Sequence, residues 1–149
     1  MKINFFLLLF ASIASCESDN KNLASQTETP AKPSPANCYR FINSNDTITL
    51  KLIHTSKSIT GTLVYKLKEK DKNEGTIQGG MKGDLLVADY TFMSEGSISV
   101  RQVVFKKQGN YFIEGYGDIE TINERLVFKN TDSLEFNNSM RLLEINCQK

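Results

Sequence analysis

The chain has 149 residues, 18 Lys and Arg against 17 Asp and Glu, one His and no Trp. So balanced a charge gives no field to draw in a phosphate backbone, which excludes nucleic acid as an electrostatic partner. The length suits one domain with a real core and not two.

Met1-Lys2-Ile3-Asn4 carries one positive side chain, residues 5–10 (FFLLLF) are all apolar, and residues 11–15 are mostly small. This is the order of a secretory signal. Its apolar run of roughly ten residues is half of the about 20 that a membrane-spanning helix needs. The next residues, Ile13-Ala14-Ser15-Cys16, resemble the lipobox of bacterial lipoproteins. The resemblance implies that residues 1–15 are removed as a signal peptide, that the Cys16 thiol receives a diacylglyceryl group, and that the freed amine is acylated. Two or more acyl chains anchor a protein stably where one does not. The alternative is an ordinary signal peptide with an incidental cysteine. Cleavage would also remove Lys2, leaving 17 basic and 17 acidic residues.

Residues 16–37 form the next segment. After Cys16 it reads ESDNKNLASQTETPAKPSPAN, with all three prolines and one large apolar residue, Leu23. Such a stretch cannot bury enough surface to offset its ordering entropy, so a disordered tether is expected. As a flexible coil it would reach about 25 Å. Glu17-Ser18-Asp19 is similar to the acidic surface-export signal of Bacteroidota-like lipoproteins. The resemblance implies an outer-membrane lipid anchor, on the periplasmic face or the cell surface.

Cys38 opens the folded region, residues 38–149, and Cys147 lies near its end. In an oxidising envelope the pair reads as a disulfide closing a loop of about 110 residues. Two thiols and one distant His make a poor zinc set; two free buried thiols are the plainer alternative.

From Cys38 onward the hydrophobic period is two. Strands are expected over 46–54, 58–67, 75–83, 84–94, 97–107, 110–116 and 126–129, and residues 140–147 are the closing strand or one helical turn. Gly83-Asp84 and Gly109-Asn110 are short enough for tight hairpins, and links this brief join antiparallel neighbours. The fold class is therefore all-β: one antiparallel meander of about eight strands closed into a small barrel, with an open sandwich as the alternative. Cys38-Tyr39, the run from Asp46 to Leu50, Gly61 to Tyr65, Gly75 to Gly79 and Gly83 to Leu86 resemble the lipocalin-like barrels of small bacterial lipoproteins. The lipocalin Gly-x-Trp signature is absent.

No nucleophile elbow, phosphate loop or His pair stands out, so an enzyme and a cofactor are not expected. His54 reads as a surface residue at a strand end. The sequence Lys70 to Gly75 has a hint of a calcium loop, but glycine falls at its fifth position and the final glutamate is missing, which favours a solvated turn. Asp46-Thr47-Ile48 and Asp132-Ser133-Leu134 resemble the short O-glycosylation motif of Bacteroidota. Asp89, Tyr90, Glu95, Arg101, Glu114 and Tyr116 lie on consecutive expected strands. Arg101 shares a face with Val103 and Phe105, and Glu114 shares one with Phe112 and Tyr116. If both faces point inward, Tyr65, Tyr90, Arg101, Glu114 and Tyr116 form a ligand site, with Arg101 holding a carboxylate or sugar acid and the tyrosines giving flat contact area. The competing reading is an ion pair that closes the barrel end, and a one-residue slip would move Arg101 to solvent. The expected function is a non-enzymatic, lipid-anchored binding module, a monomer, for a small amphiphile (hydrophobic or acidic) or an envelope protein partner. A structural protein with a filled core, or an enzyme inhibitor, is the alternative.

The anchor is checked by the intact mass of the mature protein. A chain beginning at Cys16 and heavier by a diacylglyceryl group and an acyl chain is expected; an unmodified mass would contradict the lipobox reading.

Overall fold

The computed structural model describes residues 35–147; the expected signal peptide, Cys16 and most of the expected tether lie outside them. Ten strands follow in order: β1 (Ala36–Ile42), β2 (Thr47–His54), β3 (Ile59–Lys66), β4 (Asn73–Lys82), β5 (Leu85–Ser94), β6 (Ser97–Gln108), β7 (Tyr111–Tyr116), β8 (Ile119–Ile122), β9 (Arg125–Phe128) and β10 (Glu135–Ile145). A single 3-10 turn, Thr131–Ser133, precedes β10.

Eight of these strands close into an antiparallel barrel. The hydrogen-bonded order runs β5-β4-β3-β2-β1-β10-β7-β6, and β6 pairs back onto β5. The expected meander barrel is thus the fold, with two corrections. Residues 126–129 are not a stave of the barrel. Their strand, β9, belongs to a hairpin with β8 that leaves the wall after β7, and β9 pairs in parallel with β6 at Val100↔Arg125 and Arg101↔Leu126. The eighth stave is instead β1, which begins two residues before Cys38 and pairs with β2 over its full length. The closing segment is a strand and not a helical turn, and it begins at Glu135.

Strand alternation sends one row of each stave inward. Ile48, Leu50 and Leu52 of β2, Ile59, Leu63 and Tyr65 of β3, and Leu86, Ala88 and Tyr90 of β5 are buried in one cluster with Val103, Phe105, Phe112 and Leu142. Leu50, Leu63, Leu86, Phe105 and Leu142 are fully buried, each stabilising the fold by about 1.5–3 kcal/mol. These side chains fill the middle of the barrel.

The tight turns use left-handed backbone. Gly83 and Gly109 have φ of +61° and +56°, as two-residue hairpins require. Gly61 serves a different need: a Cβ there would stand 1.8 Å from the Lys51 carbonyl oxygen, so only glycine permits the close approach of β2 and β3.

Cys38 pairs with Ile145 across the β1–β10 ladder. Two residues further on, Cys147 bonds Cys38, with Cα atoms 5.2 Å apart and 109 residues of sequence separation. The bridge ties the first stave to the last beside the seam where the barrel closes. In the chain-entropy view a loop this long stabilises by about 4–5 kcal/mol. Urea unfolding of the Cys38→Ala/Cys147→Ala protein is expected to show a loss of several kcal/mol with the barrel still formed. A loss below about 1 kcal/mol would mean that the strand ladder alone sets the closure.

Candidate functional site

The inward row of β6 reads Arg101, Val103, Phe105, Lys107. Its two middle members belong to the core, and its two ends are cations. At one end of the barrel the Lys107 ammonium lies 5.0 Å from the Tyr39 ring centre and 4.9 Å from that of Phe112, and it donates a hydrogen bond to the Tyr39 hydroxyl at 3.2 Å. At the other end Arg101 rests over three rings: Tyr65 at 5.2 Å, Tyr90 at 5.4 Å and Phe92 at 5.6 Å. Cation–ring contacts of this kind are worth about 0.5–2 kcal/mol each, more as they are desolvated.

Register explains the arrangement. Tyr90 is the direct cross-strand partner of Arg101, and Tyr90 and Phe92, two residues apart on β5, stack with ring centres 4.7 Å apart. Tyr65 meets Tyr90 edge-on at 5.9 Å. Beside them Glu114, only 7% exposed, is the one buried charged residue of the described chain. Its Oε1 accepts a 2.6 Å hydrogen bond from the Tyr65 hydroxyl and its Oε2 a 3.1 Å bond from the Tyr116 hydroxyl.

The five residues expected to meet, Tyr65, Tyr90, Arg101, Glu114 and Tyr116, are therefore one cluster. The ion pair of the competing reading is not a direct contact, since among the described residues no carboxylate reaches salt-bridge distance of Arg101. The Arg101 Nε and the Tyr90 hydroxyl are buried without a hydrogen-bond partner. Two clefts meet on this cluster. One, of about 250 Å³, is lined by Tyr65, Leu67, Lys70, Asp71, Asn73, Arg101, Glu114 and Tyr116. The other, of about 200 Å³, shares Arg101, Glu114 and Tyr116 and is bounded by Ile119, Leu126 and Phe128 near the hairpin.

Electrostatics follow from burial. Desolvation pushes the Glu114 carboxyl above its ordinary value, while the Tyr65 hydrogen bond and the nearby Arg101 charge pull it back. Burial, reinforced by the Glu114 charge, raises the Tyr65 and Tyr116 hydroxyls, and burial pushes Tyr90 up to about 12. The protons therefore stay on the tyrosines, and the carboxyl is the group that titrates.

Other singled-out residues lie elsewhere. Glu95 sits in the β5–β6 turn with a φ of +49°. Asp89 is on the outer wall, paired with Arg125. His54 ends β2 and is exposed. The turn from Lys70 to Asn73 borders the first cleft, and among the described residues no group of three or more His, Cys, Asp or Glu side chains could hold a metal ion. Thr47 and Ile48 are inside β2, and Asp132 and Ser133 form the 3-10 turn capped by Asn130. Sequence reasoning missed Phe92 as a wall of the Arg101 cage, although its place two residues after Tyr90 was the available signal. It also missed Arg125, whose strand gave too short an apolar run to be placed.

Glu114 predicts a pH dependence of definite sign. Its carboxyl binds its proton more tightly folded than unfolded. The stability it contributes is full below the ordinary value of 4.5 and is lost as pH rises through its raised folded value. Denaturant unfolding between acid and neutral pH is expected to show that decline, and Glu114→Gln to flatten it. An unchanged slope in the variant would remove Glu114 as the cause.

Compared with known proteins, the chain matches no family model, no curated protein and no solved structure, so the geometry of its own side chains is the ground for any functional conclusion.

Proposed function

We propose that the protein is a lipid-anchored, non-enzymatic binding module of the outer cell envelope. Its ligand site is the Arg101 cluster at one barrel end, and its ligand is a small molecule carrying a carboxylate, such as a sugar acid. The anchor rests on the lipobox-like Ile13 to Cys16. The observation that carries the ligand class is the uncommitted guanidinium. Arg101 is half-buried, held over three rings, and lies at the meeting of two clefts without a protein carboxylate paired to it. A planar cation in that position favours a planar anion, which it can engage through two parallel hydrogen bonds. The rings add apolar area beside it, and the Tyr116 and Glu114 groups give hydrogen-bonding partners for hydroxyls.

A ligand swallowed along the barrel axis is disfavoured, because Leu50, Leu63, Leu86, Phe105 and Leu142 occupy that space. An amphiphile would have to present its acidic head at the barrel end. The same packing supports a second reading, a structural envelope protein in which Arg101 and Lys107 only cap the two ends of a filled core.

Titration with glucuronate and with glucose, followed by NMR at the Arg101 Nε and the Tyr65 backbone amide, separates the two. Glucuronate alone is expected to shift these signals, and Arg101→Gln to weaken binding about tenfold or more while the protein stays folded. No shift with glucuronate, or equal binding of glucose, would favour the structural reading.

A further inference from the structure

We infer that the outer wall of the barrel carries a second, independent ligand site, a groove between β5 and the β8–β9 hairpin that takes an extended, uncharged polyhydroxylated chain such as a neutral glycan strand. The groove holds about 520 Å³ and is lined by Thr76, Gln78, Asp89, Thr91, Val100 and Arg125. Five of the six linings are hydrogen-bonding side chains and only Val100 is apolar.

The hairpin makes the groove. It departs from the wall after β7, and β9 returns against the first half of β6. Two contacts fix it there. Arg125 reaches past β6 to pair with Asp89 on β5, and the Gln102 Oε1 accepts a hydrogen bond from the Phe128 amide at 3.2 Å. Asp89 and Gln102 are themselves cross-strand partners. The lining is therefore set in place before any ligand arrives, and such preorganisation lowers the entropic cost of binding.

The ladder extends the groove into a track. Lys51, Thr62, Thr76, Thr91, Val100 and Arg125 are successive cross-strand partners from β2 to β9. At the usual strand spacing the row spans roughly 24 Å. A second cleft of about 330 Å³ shares Thr76 and Gln78 with the first and carries the surface on to Lys51, Thr60 and Thr62, where Ile53 and Ile77 add apolar lining for the ring faces of a sugar.

Three features select the ligand class. Asp89 and Arg125 neutralise one another, so the groove has no net charge to offer an ion. The staves that floor it, β4 and β5, are paired on both sides, so the lining offers no backbone edge to an added peptide strand; the open edge of the sheet is β8, which contributes no residue to the groove. Val100 is the one apolar side chain among the six that line the groove, so a lipid chain finds little there to bury. What remains is a rigid set of donors and acceptors at strand intervals. Such groups match the alternating hydroxyls of a neutral sugar chain. With no aromatic ring in the lining, the affinity of one chain is expected in the millimolar range, about that of a few net hydrogen bonds.

The test titrates the full-length chain with the neutral hexasaccharides of glucose, xylose and N-acetylglucosamine, and separately with polygalacturonate, reading amide and side-chain NMR signals. At least one neutral hexasaccharide is expected to shift Thr76, Gln78, Thr91 and the Arg125 Nε. Thr76→Val/Thr91→Val removes two hydroxyls at nearly constant shape and leaves the Asp89–Arg125 pair intact; it should weaken binding about tenfold or more with an unchanged melting temperature. If that variant does not fold, Gln78→Ala, at an exposed position, serves in its place. Arg101→Gln should leave this binding unaltered, so the wall site stands or falls apart from the barrel-end site. The inference is overturned if no neutral hexasaccharide shifts these signals at about 10 mM, if the valine variant binds as before, or if only polygalacturonate binds and salt abolishes it.

Discussion

The register of β6 against β5 is the constraint on which the rest of the structure depends. The two strands pair without a break from Leu85↔Lys106 to Ser94↔Ser97, and side chains alternate between faces at each step. That register sends Arg101, Val103, Phe105 and Lys107 inward together. A slip of one residue would turn both cations and Phe105 to the outside and bring Gln102, Val104 and Lys106 in. The barrel's middle would lose Phe105, and the Tyr65, Tyr90 and Phe92 rings would lose the cation they hold. The same register places Asp89 beside Gln102 on the outer wall, where Arg125 and Phe128 fasten the hairpin. Inner cluster and outer groove are thus two faces of one strand pairing.

Closure depends on the seam between β1 and β10. Only Cys38, Tyr39 and Arg40 of β1 pair with β10, a short ladder for the joint that removes the sheet's edges. The Cys38–Cys147 bond lies beside it and limits how far the seam can open in the unfolded ensemble. Tyr39 connects seam to core: its ring meets Phe112 edge-on at 4.8 Å and receives Lys107. β10 is irregular between Phe136 and Arg141, where the register against β7 shifts. The bulge lets its two halves serve different tasks. The first half, with Leu134 just before it, covers the glycine strip at Gly115 and Gly117, which leaves room for the Phe136 and Leu134 side chains. The second half buries Leu142 in the core.

Much of this was legible in the sequence because period two is a strong signal wherever one face is fully buried. Ile48-Leu50-Leu52 and Leu86-Ala88-Tyr90 face inward as their alternation requires, and Gly83-Asp84 and Gly109-Asn110 turn as their chemistry requires. The Arg101 cluster was legible for the same reason, since an inward row can be read through a charge. Ambiguity entered where periodicity was short or the pairing non-local. β8, Ile119–Ile122, is exposed throughout and has no core face to mark it. Its turn to β9 uses Asn123 and Glu124 at φ of +49° and +63°, and a glutamate at such a position gives no turn signal of the kind glycine does. β9 had the right residues, but nothing local says that a four-residue strand will pair in parallel with β6 outside the barrel. The distance between Arg101 and Glu114 was also beyond sequence, because faces can be read from alternation and side-chain reach cannot.

At the barrel end the balance of forces is between desolvation and a cation held at arm's length. Glu114 is buried and accepts hydrogen bonds from two tyrosines, yet Arg101 is engaged by rings and not by that carboxylate. A buried direct pair would be costly to desolvate and would leave Arg101 committed; the observed arrangement keeps the charge available at the clefts. The most direct test is a carbon-13 NMR titration of the Glu114 side-chain carboxyl in the native protein and in Arg101→Gln. The account predicts a midpoint above 4.5 in the native protein and a further rise when the inward-facing cation is removed. A midpoint at the ordinary value, or one indifferent to the loss of Arg101, would contradict it.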